Sequence, residues 1–183
     1  MAPVLTAEAI QLLLLLARGS IHARLEGAEP PALPEPLPGE LTRPRAVFVT
    51  LRRGGELRGC IGHATARLPL AEAVRELAVA AAFHDQRFDP VAREELTGLA
   101  VELTVLSEPE PADRERIEVG VHGLLVRRGG RAGLLLPQVA VEHGWDRETF
   151  LGATCRKAGL PLDAWRDPGT SVLWFTGRAY QDA

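Results

Sequence analysis

Apolar residues recur at helical spacing near the start of the chain. Ile10, Leu13, Leu14 and Ala17 make one face, and Leu12, Leu15 and Leu16 widen it. Thr6 supplies a cap and Glu8 an acid in the first turn, so the pattern predicts a well-covered helix from Ala7 to about Leu25. The period then disappears. The stretch EPPALPEPLPGELTRP, residues 29–44, carries six prolines and a glycine and excludes regular helix or central strand. Leu33, Leu37 and Leu41 recur along it, which predicts an extended connector lying against the core.

β-Branched residues and Phe take over in AVFVTLRRGGELRGCIG. Val47–Leu51 reads as a strand, Gly54-Gly55 as a turn, and Leu57 onward as its hairpin partner. A second hairpin follows in GLLVRRGGRAGLLLP, residues 123–137. It shares only Arg-Arg-Gly-Gly with the first, so it is not a repeat. Between the two, Pro69 opens a helix whose buried stripe is Leu70, Val74, Leu77 and Ala81. Asp89-Pro90 predicts a short helix through Glu95, and Leu99–Ser107 a strand. Asp146 caps a last helix, with Trp145 and Phe150 at the two positions of a hydrophobic staple. That helix ends before Gly159 and Pro161, and Ser171–Gly177 reads as a final strand. Helices mixed with antiparallel hairpins, without a βαβ rhythm, predict an α+β fold.

Composition adds little. A chain of 183 residues buries enough surface to need no disulfide or metal staple. A net charge of -3 and a pI near 6.0 argue against a nucleic-acid-binding module. The apolar run Ala9–Ala17 is too short to span a bilayer and lacks a basic leader, so no membrane association and a cytoplasmic location are expected. In that compartment the two cysteines are expected to be reduced.

The candidate chemistry centres on LRGCIG, residues 57–62. In an unbroken strand, Arg58, Cys60 and Gly62 share one face and Leu57, Gly59 and Ile61 the other. A guanidinium two residues from a thiol favours the thiolate, and the glycines allow a ligand close to the backbone. The alternative is a small cysteine packed in a glycine-rich strand end. Cys155, in the last helix, is read as packing against Leu160.

His84, at a helix end, and His122, opening a strand, are candidate bases for Cys60. Glu102, mid-strand among Val101, Leu103 and Val105, needs a partner if covered, and an arginine such as Arg58 suits it. The histidines make no metal-binding spacing, so no metal and no cofactor are expected. Arg52, Arg53, Arg127 and Arg128 are read as solvated hairpin tips.

The hexapeptide resembles the signature of the AMMECR domain family. FVTL at 48–51, GELRGCIGH at 55–63 and PLAEAVRELAVAAAFHDQRF at 69–88 agree with it. So do VGVHGLLVRRGGRAGLLLPQVAVEHGW at 119–145 and TCRKAGL at 154–160. The chain is similar to the branch called AmmeMemoRadiSam system protein A. The resemblance implies a single α+β domain over residues 1–183 with a larger and a smaller lobe, the hexapeptide near their junction. It implies as partners a Memo-like protein and a radical SAM protein, and no settled activity. An enzyme component acting on a small molecule through Cys60 and a noncatalytic scaffold both remain open.

Overall fold

The computed structural model describes residues 4–182, which form two compact units: residues 4–106 with 178–182, and Ser107–Gly177. In the first unit, α1 (Ala7–Glu26) begins where the side chain of Thr6 accepts the Ala9 N–H, and it ends at Gly27, which adopts a left-handed conformation. The connector leads to β1 (Val47–Arg53) and β2 (Glu56–His63). The two strands are joined through Gly54 and Gly55 at φ 58° and 85°, the pair of positive values a type I′ turn requires. α2 (Leu70–Phe83) and β3 (Leu99–Leu106) complete the frame, with β1 paired antiparallel to both β2 and β3.

One side of these strands is dry. Val47, Val49 and Leu51 on β1 and Val101, Leu103 and Val105 on β3 are fully buried. Against them lie Leu70, Val74 and Leu77 of α2 and Leu13 and Ala17 of α1. The connector joins the same core: Leu41 is fully buried, and Leu33 and Leu37 pack against it. It also caps α2. Pro69 offers no capping side chain, and the carbonyls of Arg43 and Leu41 accept the N–H groups of Leu70 and Ala71 (3.1 and 3.2 Å).

One predicted element moves. Residues 90–92 lie outside any helix, Ala92 being extended, and a 3-10 segment covers Arg93–Gly98 in place of a helix opening at Pro90. The true start is Ala92, whose N–H donates to the Glu95 carboxylate at 2.8 Å. The carboxylate three residues on, rather than the Asp-Pro pair, places the boundary.

The second unit contains β4 (Glu110–Pro111), the hairpin β5 (His122–Arg128) and β6 (Arg131–Leu135), α3 (Pro137–Glu142) and α4 (Arg147–Lys157). β7 (Ser171–Gln181) pairs antiparallel with β5 and β4. Leu124, Val126, Phe150 and Cys155 are fully buried in this core, with Trp145 and Leu160 packed on it. Asp146 accepts the Thr149 N–H at 2.8 Å. At the other end of α4 the Leu160 N–H returns to the Cys155 carbonyl at 2.9 Å, with Gly159 at φ 71°. Helices and antiparallel strands together make the fold α+β. Among the described residues no helix is long and apolar enough to cross a membrane.

Candidate functional site

The hexapeptide forms most of β2, and three features of its sequence fix its geometry. The first is a bulge. Pairing with β1 is regular from His63 back to Gly59, then slips, so that Arg52 faces Leu57 and Arg58 has no partner across the ladder. The unpaired arginine turns to Glu95. Its Nε donates to one carboxylate oxygen at 2.7 Å and Nη2 to the other at 2.9 Å, and Nη2 also reaches the Pro90 carbonyl at 3.4 Å. This bidentate pair holds the Glu95 carboxyl down at about 2, the Ala92 N–H assisting, and raises the Arg58 guanidinium. Alternation across 57–61 therefore breaks at Arg58, and its guanidinium is committed to Glu95.

The second feature is close approach. A Cβ built on Gly59 would lie 2.2 Å from the Ala81 carbonyl oxygen, so only glycine lets α2 sit this near the strand. On Gly62 a Cβ would lie 2.2 Å from the Phe48 ring, which crosses over it from β1.

The third is a clamp. Cys60 N–H donates to Asp85 Oδ2 at 2.9 Å, and Arg87 Nη2 donates to the Cys60 carbonyl at 3.3 Å. Asp85 and Arg87 also pair with each other, Oδ2 to Nη2 at 2.7 Å and Oδ1 to Nε at 2.9 Å. Paired only with β1, β2 directs these backbone groups away from it. The ion pair meets them as a neighbouring peptide unit would: a carboxylate for the N–H, a guanidinium for the carbonyl. The Arg87 guanidinium and the Cys60 N–H hold the buried Asp85 carboxyl far below the usual carboxylate range.

This framework presents one row of side chains on the sheet face opposite the helices. Cys60 on β2 faces Thr50 on β1, which faces Glu102 on β3. The Thr50 hydroxyl donates to the Cys60 sulfur at 3.3 Å. Cys60, Glu102, Phe48 and Thr104 on this face are half-buried. Glu102 takes Arg52 as its partner, 3.9 Å away, correcting the expected pairing with Arg58; the bulge sends Arg58 elsewhere.

Within the first unit, the other expected residues lie apart from the row. Leu57 is exposed, and Ile61 packs on the core side. His84 is exposed at the end of α2, and its neighbour Asp85 is the residue that reaches Cys60. His122 lies in the second unit, stacked on Trp174 with ring centroids 4.5 Å apart. Its Nδ1 accepts the Glu118 N–H at 3.0 Å, so the neutral ring carries its proton on Nε2 and presents a donor.

Arg53, Arg127 and Arg128 are exposed at the hairpin tips, as expected, and Arg53 also pairs with Glu95 and Arg128 with Asp167. Cys155 is fully buried, and burial pushes its thiol up. Among the described residues no group of three or more His, Cys, Asp or Glu is placed to hold a metal.

Sequence reasoning missed Asp85, Arg87 and Glu95. Asp85 and Arg87 carried a signal in Asp-x-Arg directly after a helix end, and Glu95 in its place three residues beyond a helix start.

The whole chain has relatives. A family model described as AMMECR1 matches residues 14–180. A protein of Methanothermobacter thermautotrophicus is 47% identical over 177 residues, covering 93% of this chain and 92% of that protein. Protein PH0010 of Pyrococcus horikoshii is 45% identical over 183 residues, covering 94% and 89%. The crystal structure of that uncharacterized protein matches with a TM-score of 0.81 at 42% sequence identity, over 97% of this chain and 93% of that one. A backbone and sequence shared over this length leave no part of the hexapeptide's setting outside the likeness: the chain belongs to the AMMECR1 family.

Proposed function

We propose that the protein holds a small molecule at the β1–β3 face that carries Cys60, with the Cys60 thiol as nucleophile or thiol carrier, as a component of an AmmeMemoRadiSam system. One observation carries this reading. Cys60 is the half-exposed thiol of the hexapeptide, and the Thr50 hydroxyl donates to its sulfur. The clamp on its backbone holds that sulfur in place, and Glu102 stands on the same row as a proton-handling group.

Cys155 provides an internal control, because it is fully buried. Iodoacetamide treatment of the intact protein at neutral pH, followed by peptide mass spectrometry, is expected to label Cys60 well before Cys155. Labelling of Cys60 no faster than Cys155 would refute the reading.

A second reading is a noncatalytic subunit for the Memo-like and radical SAM partners. The Arg58–Glu95 and Asp85–Arg87 pairs favour it, because both spend their charges inside the protein rather than on a ligand. It predicts that Cys60→Ser retains function as well as partner co-purification. Loss of function with co-purification intact returns the weight to the thiol.

A further inference from the structure

The second unit has a groove of its own, about 490 Å³ in volume, between α4 and the loop that follows it. That is an ordinary size for a small-molecule site. Trp145, just before α4, and Arg156, in its last turn, belong to one wall; Leu162, Asp163 and Trp165 belong to the other. Gly152 lets the walls meet, since a Cβ there would lie 3.1 Å from the Leu162 carbonyl oxygen. Both indoles are half-buried, and Leu162 is 57% exposed. Neither Trp145 nor Trp165 spends its indole N–H on a partner among the described residues, whereas Trp174, outside the groove, donates to Glu110 at 3.1 Å. The charges divide in the same way. Arg166 pairs with Glu148 at 2.9 Å and lies over the Trp165 ring, 4.4 Å from its centroid, so those two charges are spent. Arg156 and Asp163 are exposed, and neither side chain is hydrogen-bonded or ion-paired among the described residues, with each other included.

The groove is therefore neutral overall, with one accessible cation and one accessible anion left over. A simple anion or cation would meet one attraction and one repulsion there, but a zwitterion meets two attractions. A carboxylate matches the guanidinium edge with parallel hydrogen bonds, and an ammonium suits the Asp163 carboxylate. The indoles and Leu162 offer large apolar surface to a flat ring. We infer that this groove binds a free aromatic α-amino acid, its carboxylate on Arg156, its ammonium on Asp163 and its ring against Trp145 and Trp165. The site lies wholly in the second unit and does not depend on the chemistry of Cys60.

L-Phenylalanine is the probe. Hydrocinnamate lacks its ammonium, phenethylamine lacks its carboxylate, and L-alanine lacks its ring. Isothermal titration with the full chain should detect L-phenylalanine. Hydrocinnamate and phenethylamine should each bind about fivefold more weakly, the upper range for one solvated ion pair, and L-alanine more weakly still. In NMR the indole N–H signals of Trp145 and Trp165 should shift while that of Trp174 stays. Arg156→Gln should abolish the advantage of L-phenylalanine over phenethylamine, and Asp163→Asn its advantage over hydrocinnamate. Both side chains are exposed and unpaired, so both variants should fold; if one does not, the ligand series on the unaltered protein decides. No binding of L-phenylalanine, equal affinity for it and either one-charge analogue, unchanged preferences in the folded variants, or shifts confined to Trp174 would each overturn the inference.

Discussion

Removing the Asp85 side chain tests whether the clamp holds the hexapeptide strand. Asp85 is 5% exposed at its side chain, whereas Arg87 is 57% exposed. The two sides of the interaction therefore contribute unequally. In Asp85→Ala the Arg87 guanidinium returns to water, so loss of the ion pair itself costs about 0–1 kcal/mol. The Arg87 N–H, at 3.2 Å from Oδ1, lies on an exposed residue and is also rehydrated cheaply. The Cys60 N–H, at 2.9 Å from Oδ2, loses a charged acceptor on a half-buried strand, at about 1.5–3 kcal/mol. The expected total is about 3 kcal/mol, roughly two powers of ten in the folding equilibrium. Asp85→Asn keeps one oxygen for that N–H and should lose about half as much. Urea denaturation followed by far-UV circular dichroism measures both; Trp fluorescence does not report on this unit, since Trp145, Trp165 and Trp174 all belong to the other. A loss below about 1 kcal/mol for Asp85→Ala would show that the Asp85–Arg87 clamp does not hold β2.

Gly59→Ala puts a methyl group 2.2 Å from the Ala81 carbonyl oxygen and should destabilise by about 2–3 kcal/mol, read as a lower urea midpoint. An unchanged midpoint would mean α2 retreats freely. The pH dependence has a definite sign. Glu95 is held at about 2 in the folded protein by Arg58, against about 4.3 in an unfolded chain. Its contribution is complete above about pH 4.3 and is lost as pH falls toward 2, because the unfolded chain takes up the proton first. Asp85, also lowered, acts in the same direction. Urea midpoints should therefore drop between pH 5 and pH 2, and Glu95→Gln should flatten that drop; a parallel profile would refute the assignment.

The main elements were legible because each rests on local chemistry. Thr6, Asp146 and Gly159 mark helix ends through their own side chains or conformations, and Gly54-Gly55 marks a turn. The dry face of β3 followed from alternation, whereas β1 reads VFVTL, with apolar residues on both faces. The site was legible only in part. Strand parity set Cys60 apart from Gly59 and Ile61, but it could not show the bulge that removes Arg58 from that face, nor the register that brings Glu102 into line with Cys60. Nor could it bring Asp85 to Cys60, because their hydrogen bond joins residues 25 positions apart across a helix packing angle. Pairings between α2 and β2 are tertiary facts, and nothing in either segment alone encodes the other.

The Asp85–Arg87 pair also limits what can be added to the sheet. A strand laid beside another strand leaves a fresh row of amides on its far side, so growth can repeat without end. An ion pair has no far side of that kind. The rim at Cys60 is therefore closed to an incoming extended chain, and anything that reaches the sulfur must come across the plane of the sheet.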